Sequence, residues 1–188
     1  MLQRVTLIIL LFFMSVSFAS AFQVPDTGIT ECYDAVGNQI NPCPELGQPY
    51  YGQDGNIIHN DMSYTDNGNG TLTDDVTGLL WQKTSDANPL TWNEAASYCN
   101  NLTLGGHASG WRLPALVELD SIMDLSVHSG AAIDSAFTGT EAAGYWTSTE
   151  DPEDSAKTWI LDFGINEDYI TFKAGSNYTR CVRTGVAP

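Results

Sequence analysis

Side chains that could bind a metal ion cluster in one short stretch. Asp66 and Asn69 lie in the glycine-rich segment 66–70, and Asp74 follows four residues later. Oxygen donors on a flexible backbone suit calcium better than zinc. The spacing is not that of an EF-hand loop, because glycines occupy its second and third ligand positions. A hairpin whose Asn-Gly and Asp residues satisfy turn geometry explains the same residues, and we favour that interpretation.

A second group of carboxylates lies in segment 150–154, where Glu150 and Asp154 could bind a cation or act as an acid and base pair. Clustered acids on a proline-containing loop are more often a solvated turn, which is the interpretation we favour. The three histidines lie in separate stretches, and no serine stands in a GxSxG motif. We therefore expect no enzyme activity. Calcium is the cofactor that this composition would suit, without requiring it.

Aromatic side chains beside amides and carboxylates could bind a sugar, because sugars present apolar C–H faces next to directional hydroxyls. Such residues occur together near the C-terminus, and the ligand-binding candidates are Trp146, Trp159, Asn166, Asp168 and Tyr169. The alternative is that the tryptophans lie in the core, as large aromatic residues of a small domain usually do. Tyr50, Tyr51 and Tyr169 are expected at the surface.

The elements that must position these residues follow from periodicity and capping signals. Thr91 and Glu94 form a capping box that predicts a helix over 91–102. A second helix is expected from Pro114 to Asp124, where apolar residues recur at helical spacing. A long loop is expected at 125–140, and strands are expected at 71–73, 79–81, 144–148, 157–163, 169–173 and 178–183. Together they predict an α+β domain with two helices on a twisted, mainly antiparallel sheet.

Three segments carry a resemblance to a known family. They are YTDNGNGTLTDDVTGLLWQK at 64–83, TWNEAASYCNNL with GWRLPALVELDSI within 91–122, and YTRCVR at 178–183. Together they resemble the C-terminal domain family of the Lcl collagen-like adhesins, formerly a domain of unknown function. The resemblance implies a C-type-lectin-like domain over 62–188. Segment 22–61 is rich in Gly, Pro, Asn and Asp and has little periodicity, which predicts an irregular N-terminal arm.

The resemblance also implies a function class. It places the chain among exported, non-catalytic binding modules of the bacterial cell envelope that act in adhesion and recognise a glycan or an envelope protein. The alternative is a structural or protein-interaction component of an envelope assembly. No Gly-X-Y tract is present, so the collagen-like stalk and its trimeric assembly do not carry over, and we expect a monomer.

Four cysteines in an exported chain predict two disulfides, for which three connectivities are possible. The resemblance favours Cys32 with Cys43 and Cys99 with Cys181, the second joining a helix to the last strand. Residues 1–21 have the pattern of a secretory signal, because Arg4 precedes an apolar run that ends in small residues. We expect a secreted or periplasmic protein with no membrane insertion after the signal is removed.

The charge of the chain limits its partners. Its formal net charge is -16, from 23 acidic and 7 basic residues. Nucleic acids and anionic membranes bind through clusters of Lys and Arg, so neither is an expected partner. Relatives of the Lcl type are associated with sulfated glycosaminoglycans, but polysulfated ligands need the same basic patch and are not expected here.

Overall fold

A computed structural model describes residue 23, residues 25–56 and residues 60–185. The signal peptide expected at 1–21 lies outside the described residues, and so do residues 57–59 of the N-terminal arm. Within the described ranges, no helix has the length and apolar character needed to cross a membrane.

The described residues form two helices, one short 3-10 helix and nine strands. The helices are α1 (Trp92–Asn101) and α2 (Leu116–Asp120), and the 3-10 helix is Asp54–Asn56. The strands are β1 (Cys32–Tyr33), β2 (Gln39–Ile40), β3 (Tyr64–Asp66), β4 (Thr71–Asp74), β5 (Leu79–Gln82), β6 (Gly144–Glu150), β7 (Lys157–Asp162), β8 (Glu167–Phe172) and β9 (Val182–Thr184).

Two antiparallel sheets build the domain. One has the strand order β3-β4-β5-β9 and the other has the order β6-β7-β8, while β1 and β2 pair in the N-terminal arm. The C-terminal strand returns beside an early strand, since Val182 pairs with Trp81. The predicted α+β architecture, with two helices and mainly antiparallel sheets, is confirmed.

Helix α1 forms where its capping signal predicts it. The Glu94 carboxylate accepts hydrogen bonds from the Thr91 backbone N–H at 2.9 Å and from the Thr91 hydroxyl at 2.6 Å. Ala95 and Cys99, one turn apart, are fully buried. The local cap therefore starts the helix, and the buried stripe holds it against the sheet of β6, β7 and β8.

Helix α2 is shorter than predicted, because it ends at Asp120 and does not continue to Asp124. The Ser121 hydroxyl donates to the Glu118 carbonyl at 2.7 Å and so occupies an acceptor in the last turn. The next two amides bond three residues back: Ile122 N–H to the Leu119 carbonyl and Met123 N–H to the Asp120 carbonyl. These tighter turns end the α-helix, although Ile122 and Met123 remain buried.

The core consists of two clusters of buried side chains. One includes Trp81, Leu119 and Tyr145. The other surrounds Trp111 and Trp146. The predicted long loop joins the first cluster, since Ala132, Ile133 and Phe137 are buried. That segment is thus part of the core as well as a connection between elements.

Both disulfides have the connectivity that the resemblance implied. Cys32 bonds Cys43 within the N-terminal arm, and Cys99 of α1 bonds Cys181, which immediately precedes β9. The second bond therefore fixes α1 to the four-stranded sheet.

Candidate functional site

The aromatic residues predicted to bind a ligand do not form one surface. Trp146 is fully buried, and its indole N–H donates to the Leu90 carbonyl at 2.6 Å. Trp159 lies opposite Ile170 in the β7–β8 ladder, whereas Tyr169 lies opposite Ile160. Adjacent ladder positions point to opposite faces, so Trp159 and Tyr169 lie on opposite faces of the sheet.

The two polar candidates lie at the β7–β8 hairpin. Asn166 adopts a left-handed φ of 58°, and its N–H donates to the Asp162 carbonyl at 2.9 Å, which closes the turn. Asp168 is exposed and pairs with Leu161. Burial, and then the negative charge of Asp168, raise the pKa of Asp120 on α2. Asp168 therefore belongs to an acidic surface beside α2.

The candidate metal residues of the β3–β4 hairpin are engaged in other contacts. Lys83 Nζ lies 2.7 Å from Asp66 Oδ2. The pKa of Asp66 is lowered by this hydrogen bond first and then by the Gly68 N–H. The Asn69 side-chain oxygen accepts the Thr71 hydroxyl at 2.7 Å and the Thr71 N–H at 3.2 Å. Apart from the ion pair with Lys83, which follows β5, these contacts are those of a hairpin turn.

Asp74 differs from the other metal candidates because it is fully buried. Its Oδ1 accepts the N–H groups of Val76 and Thr77, both at 3.0 Å. Its Oδ2 has no hydrogen-bond partner among the described residues. The carboxylate thus organises the β4–β5 turn from inside the domain.

The second acidic candidate site is occupied by lysines. Glu150 Oε1 lies 2.7 Å from Lys173 Nζ, and Asp154 Oδ2 lies 3.3 Å from Lys157 Nζ. The pKa of Asp154 is lowered first by the Ala156 N–H and then by Lys157. In the described ranges, no group of three or more His, Cys, Asp and Glu side chains is placed to hold a metal ion.

A groove along the exposed face of α1 was not predicted. Its volume is about 700 Å³, and it is lined by Asp86, Asn88, Leu90, Asn93, Glu94, Ser97, Tyr98, Asn101, Leu102 and Thr103. We call it the Tyr98 groove. Asn93, Ser97 and Asn101 recur every four residues, so they form one polar stripe on the helix. That spacing is visible in the sequence, but the loop residues that complete the groove are not.

Tyr98 gives the groove an aromatic wall that is held in place. The Gln82 side-chain amide donates to the Tyr98 hydroxyl at 2.7 Å. Burial raises the pKa of Tyr98, and the nearby negative charge of Asp86 raises it further. The Asn101 side-chain amide donates to the Ser97 carbonyl at 2.8 Å. This hydrogen bond orients the free side-chain oxygen of Asn101. An aromatic face, amides and carboxylates therefore meet on one open surface.

A second groove, of about 710 Å³, lies over the four-stranded sheet. Its floor crosses three strands, because Thr73 pairs with Leu80 and Leu80 pairs with Arg183. The Asn67 amide donates to the Thr71 and Thr73 hydroxyls, both at 3.0 Å. Most of the residues that line this groove have polar side chains, and none of them is Phe, Tyr or Trp.

Comparison with protein families decides the classification. The model of the Lcl C-terminal domain matches residues 70–183, more than half of the chain. The chain belongs to the Lcl C-terminal domain family. No curated protein shows significant similarity to it.

The part that matches the Lcl C-terminal domain contains both helices, the β6-β7-β8 sheet and the Cys99–Cys181 bond. The Tyr98 groove lies wholly inside it. The Cys32–Cys43 bond and β3 lie outside the match, although β3 pairs with β4 of the matched region.

Basic side chains of this Lcl C-terminal domain are dispersed. Four of them are in ion pairs with carboxylates: Lys83, Arg112, Lys157 and Lys173. Arg180 is fully buried. Arg183 donates from Nε to the Ser109 carbonyl at 3.2 Å. The described residues therefore form no patch of unpaired cations.

Proposed function

We propose that this chain is an exported, non-catalytic binding module of the cell envelope, with a C-type-lectin-like fold, that recognises a glycan through the Tyr98 groove. Membership of the Lcl C-terminal domain family and the two disulfides support an adhesin-like role outside the reducing cytoplasm.

The proposal is based on the residues that line the Tyr98 groove. A tyrosine ring can stack on the C–H face of a sugar, while Asn93 and Asn101 offer both donors and acceptors to its hydroxyls. No Lys, Arg or His is among the groove's described lining residues, and Asp86 and Glu94 contribute negative charge. A neutral or amino-bearing glycan suits this surface, whereas a sulfated one would be repelled.

A glycan array tests the proposal, with the mature domain applied in calcium and again in EDTA. We expect binding to neutral or amino-bearing glycans in both conditions. Binding in calcium alone would redirect attention to the five candidate metal residues, which are Asp66, Asn69, Asp74, Glu150 and Asp154. No binding in either condition would refute a glycan ligand.

Two variants of α1 make the test specific to the groove. Asn93→Ala and Asn101→Ala each remove an amide from the groove and should weaken binding about tenfold. Asn100→Ala is the matched control, because Asn100 is exposed on the same helix but does not line the groove. Equal losses for Asn100→Ala and Asn101→Ala would contradict a site at this groove.

A second candidate function is that of a protein-interaction component of an envelope assembly. Exposed apolar side chains on strand β8 favour it: Tyr169, Ile170 and Phe172. The two functions separate if variants in the Tyr98 groove and variants on β8 are compared for glycan binding and for peptide binding.

A further inference from the structure

Strand β8 is an open edge of its sheet. In the order β6-β7-β8, β7 flanks one side of β8, and no described strand lies on the other. The opposite edge, formed by β6, is covered. The backbone N–H of Trp146 donates to the Tyr178 carbonyl at 3.0 Å, and the backbone N–H of Ser148 donates to the Pro114 carbonyl at 2.7 Å. Only one edge of this sheet is thus available to a further strand in the part of the chain that is described.

The register determines which backbone groups face the open side. Phe163 N–H donates to the Ala143 carbonyl beyond β6, and Lys173 N–H donates to the Ala156 carbonyl before β7. Lys173 thus directs its backbone groups toward β7. Because this direction alternates along a strand, the backbone N–H and C=O groups of Asp168, Ile170 and Phe172 face away from β7. The Phe172 carbonyl accepts Gly175 N–H. Both backbone groups of Asp168 and of Ile170, with the Phe172 N–H, face outward.

Strand β8 exposes more apolar side chains than an unpaired edge strand usually does. Tyr169 is 41% exposed, Ile170 is 38% exposed and Phe172 is 57% exposed. Natural sheets usually protect an open edge with lysine, proline or a bulge. Lys157 Nζ does lie 5.0 Å from the centroid of the Phe172 ring, yet most of that ring remains exposed.

The charge beside the edge is acidic at one end and neutralised at the other. Asp120 and Asp168 are close enough to repel each other next to the hairpin. At the far end, Lys157 pairs with Asp154 and Lys173 pairs with Glu150. A second copy of a chain with a net charge of -16 would add negative charge to this surface, whereas a basic segment would complement it.

We propose that β8 is a docking edge for an extended segment of a partner protein, which adds as a fourth strand to the β6-β7-β8 sheet. The segment places aliphatic or aromatic side chains at alternate positions against Ile170 and Phe172. It carries lysine or arginine beside Asp168. Backbone hydrogen bonds give affinity in this mode, and the alternating side chains and the basic residue give specificity. The inference does not depend on the glycan groove.

Calorimetric titration with a synthetic probe tests the proposal. The probe is an end-capped peptide of two lysines followed by alternating valine and threonine. A second peptide has the same sequence but carries N-methyl groups on alternate residues, which remove half of its donors. We expect the first peptide to bind and the N-methylated one to bind at least tenfold more weakly. Equal binding, or no binding of the first peptide, would overturn the proposal.

Variants locate the bound peptide on the edge. Ile170→Pro removes an outward N–H and leaves the ladder with β7 intact, since edge strands tolerate proline there. Phe172→Thr keeps strand propensity and removes the aromatic ring. It replaces Ile170→Pro in the binding test if that variant does not fold. Each should weaken peptide binding about tenfold, and Asp168→Asn should do so mainly at low salt.

Val36→Thr is the matched control, because Val36 is 82% exposed but lies in the N-terminal arm. It should bind the peptide as the unchanged protein does. Unaltered binding by Phe172→Thr would overturn the proposal. So would a concentration-dependent dimer of the unchanged protein that Phe172→Thr abolishes, because a second copy would then be the occupant.

Discussion

The guanidinium carbon of Arg180 lies 4.9 Å from the centroid of the Phe137 ring, inside the domain. Arg180 Nη1 donates to the carbonyls of Gln82 and Lys83 at 2.6 and 2.7 Å. Its Nη2 donates to the Thr140 hydroxyl at 2.6 Å and to the Thr138 carbonyl at 3.3 Å. One buried cation therefore joins the end of β5 to the long loop. Burial lowers its pKa to about 10, so it stays charged at neutral pH.

Replacing Arg180 should cost several kilocalories of stability. Arg180→Met removes four hydrogen bonds inside the domain. The Gln82 carbonyl loses its donor, whereas the carbonyls of Lys83 and Thr138 keep the N–H groups of Thr138 and Ser85. We expect the free energy of unfolding to fall by about 3 kcal/mol. Urea denaturation followed by tryptophan fluorescence measures the change. Arg183→Met is the control, because Arg183 is only partly buried. A loss no larger than that of the control would contradict the role given to Arg180.

A side chain at Gly144 should destabilise the fold. It is buried at the start of β6, where an added Cβ would lie 2.6 Å from Ile160 Cδ1 and 2.8 Å from Asn177 Oδ1. Gly144→Ala should lower the free energy of unfolding by about 1–3 kcal/mol through overpacking. Thermal melting checks this. Gly175→Ala, at an exposed glycine, should have the smaller effect.

The two disulfides should differ in their contribution. Cys99 and Cys181 are 82 residues apart, whereas Cys32 and Cys43 are 11 apart. On the loop-entropy model, removing the long-range bond costs about 4–5 kcal/mol and removing the short-range bond costs about 3 kcal/mol. The comparison is Cys99→Ala/Cys181→Ala against Cys32→Ala/Cys43→Ala in urea. The reverse order of stability would contradict the prediction.

Acid should weaken the contact of Glu118 with Arg112. Burial raises the pKa of Glu118, but hydrogen bonds from Arg112 and from Ala115 N–H lower it more, to below its ordinary value of 4.5. A carboxyl group with a lowered pKa in the folded state stabilises the fold above its ordinary pKa and loses that contribution as the pH falls.

Glu118→Gln should therefore reduce the free energy of unfolding at pH 7 by about 1 kcal/mol. The difference from the unchanged protein should shrink as the pH falls below 4.5. Urea denaturation at a series of pH values measures it. The control is Glu153→Gln, at an exposed position in the β6–β7 connection. A difference that is constant from pH 7 to pH 3 would contradict the assignment.

Local signals predicted the elements of the fold better than their ends. Helix α1 follows from Thr91 and Glu94, which are three residues apart and make the cap directly. The end of α2 depends on the Ser121 hydroxyl, which competes with backbone N–H groups for the Glu118 carbonyl. The spacing of the apolar residues does not change there, so it could not indicate where the helix ends. Strand β3 was not predicted, because its residues become a strand through pairing with β4.

The candidate site was harder to predict because it depends on which face of a sheet a residue occupies. Trp146 pairs with Ile160 of β7, and Trp159 is one position away from Ile160, so the two tryptophans lie on opposite faces of the sheet. Trp146 is in the core and Trp159 is only partly buried, and alternation within each strand cannot predict this without the pairing between the strands. The Tyr98 groove needs Asp86 and Asn88 from the preceding loop, and only the folded chain brings them to the helix.

The bond between Cys99 and Cys181 also determines how the molecule responds to proteolysis. Every peptide bond between these two cysteines, including all of segment 125–140, lies within the loop that the disulfide closes. A single cut there leaves two fragments covalently joined. The nicked protein would run as one band on a gel without reductant and as two bands with it, so cleavage by a protease need not separate α1 from β9.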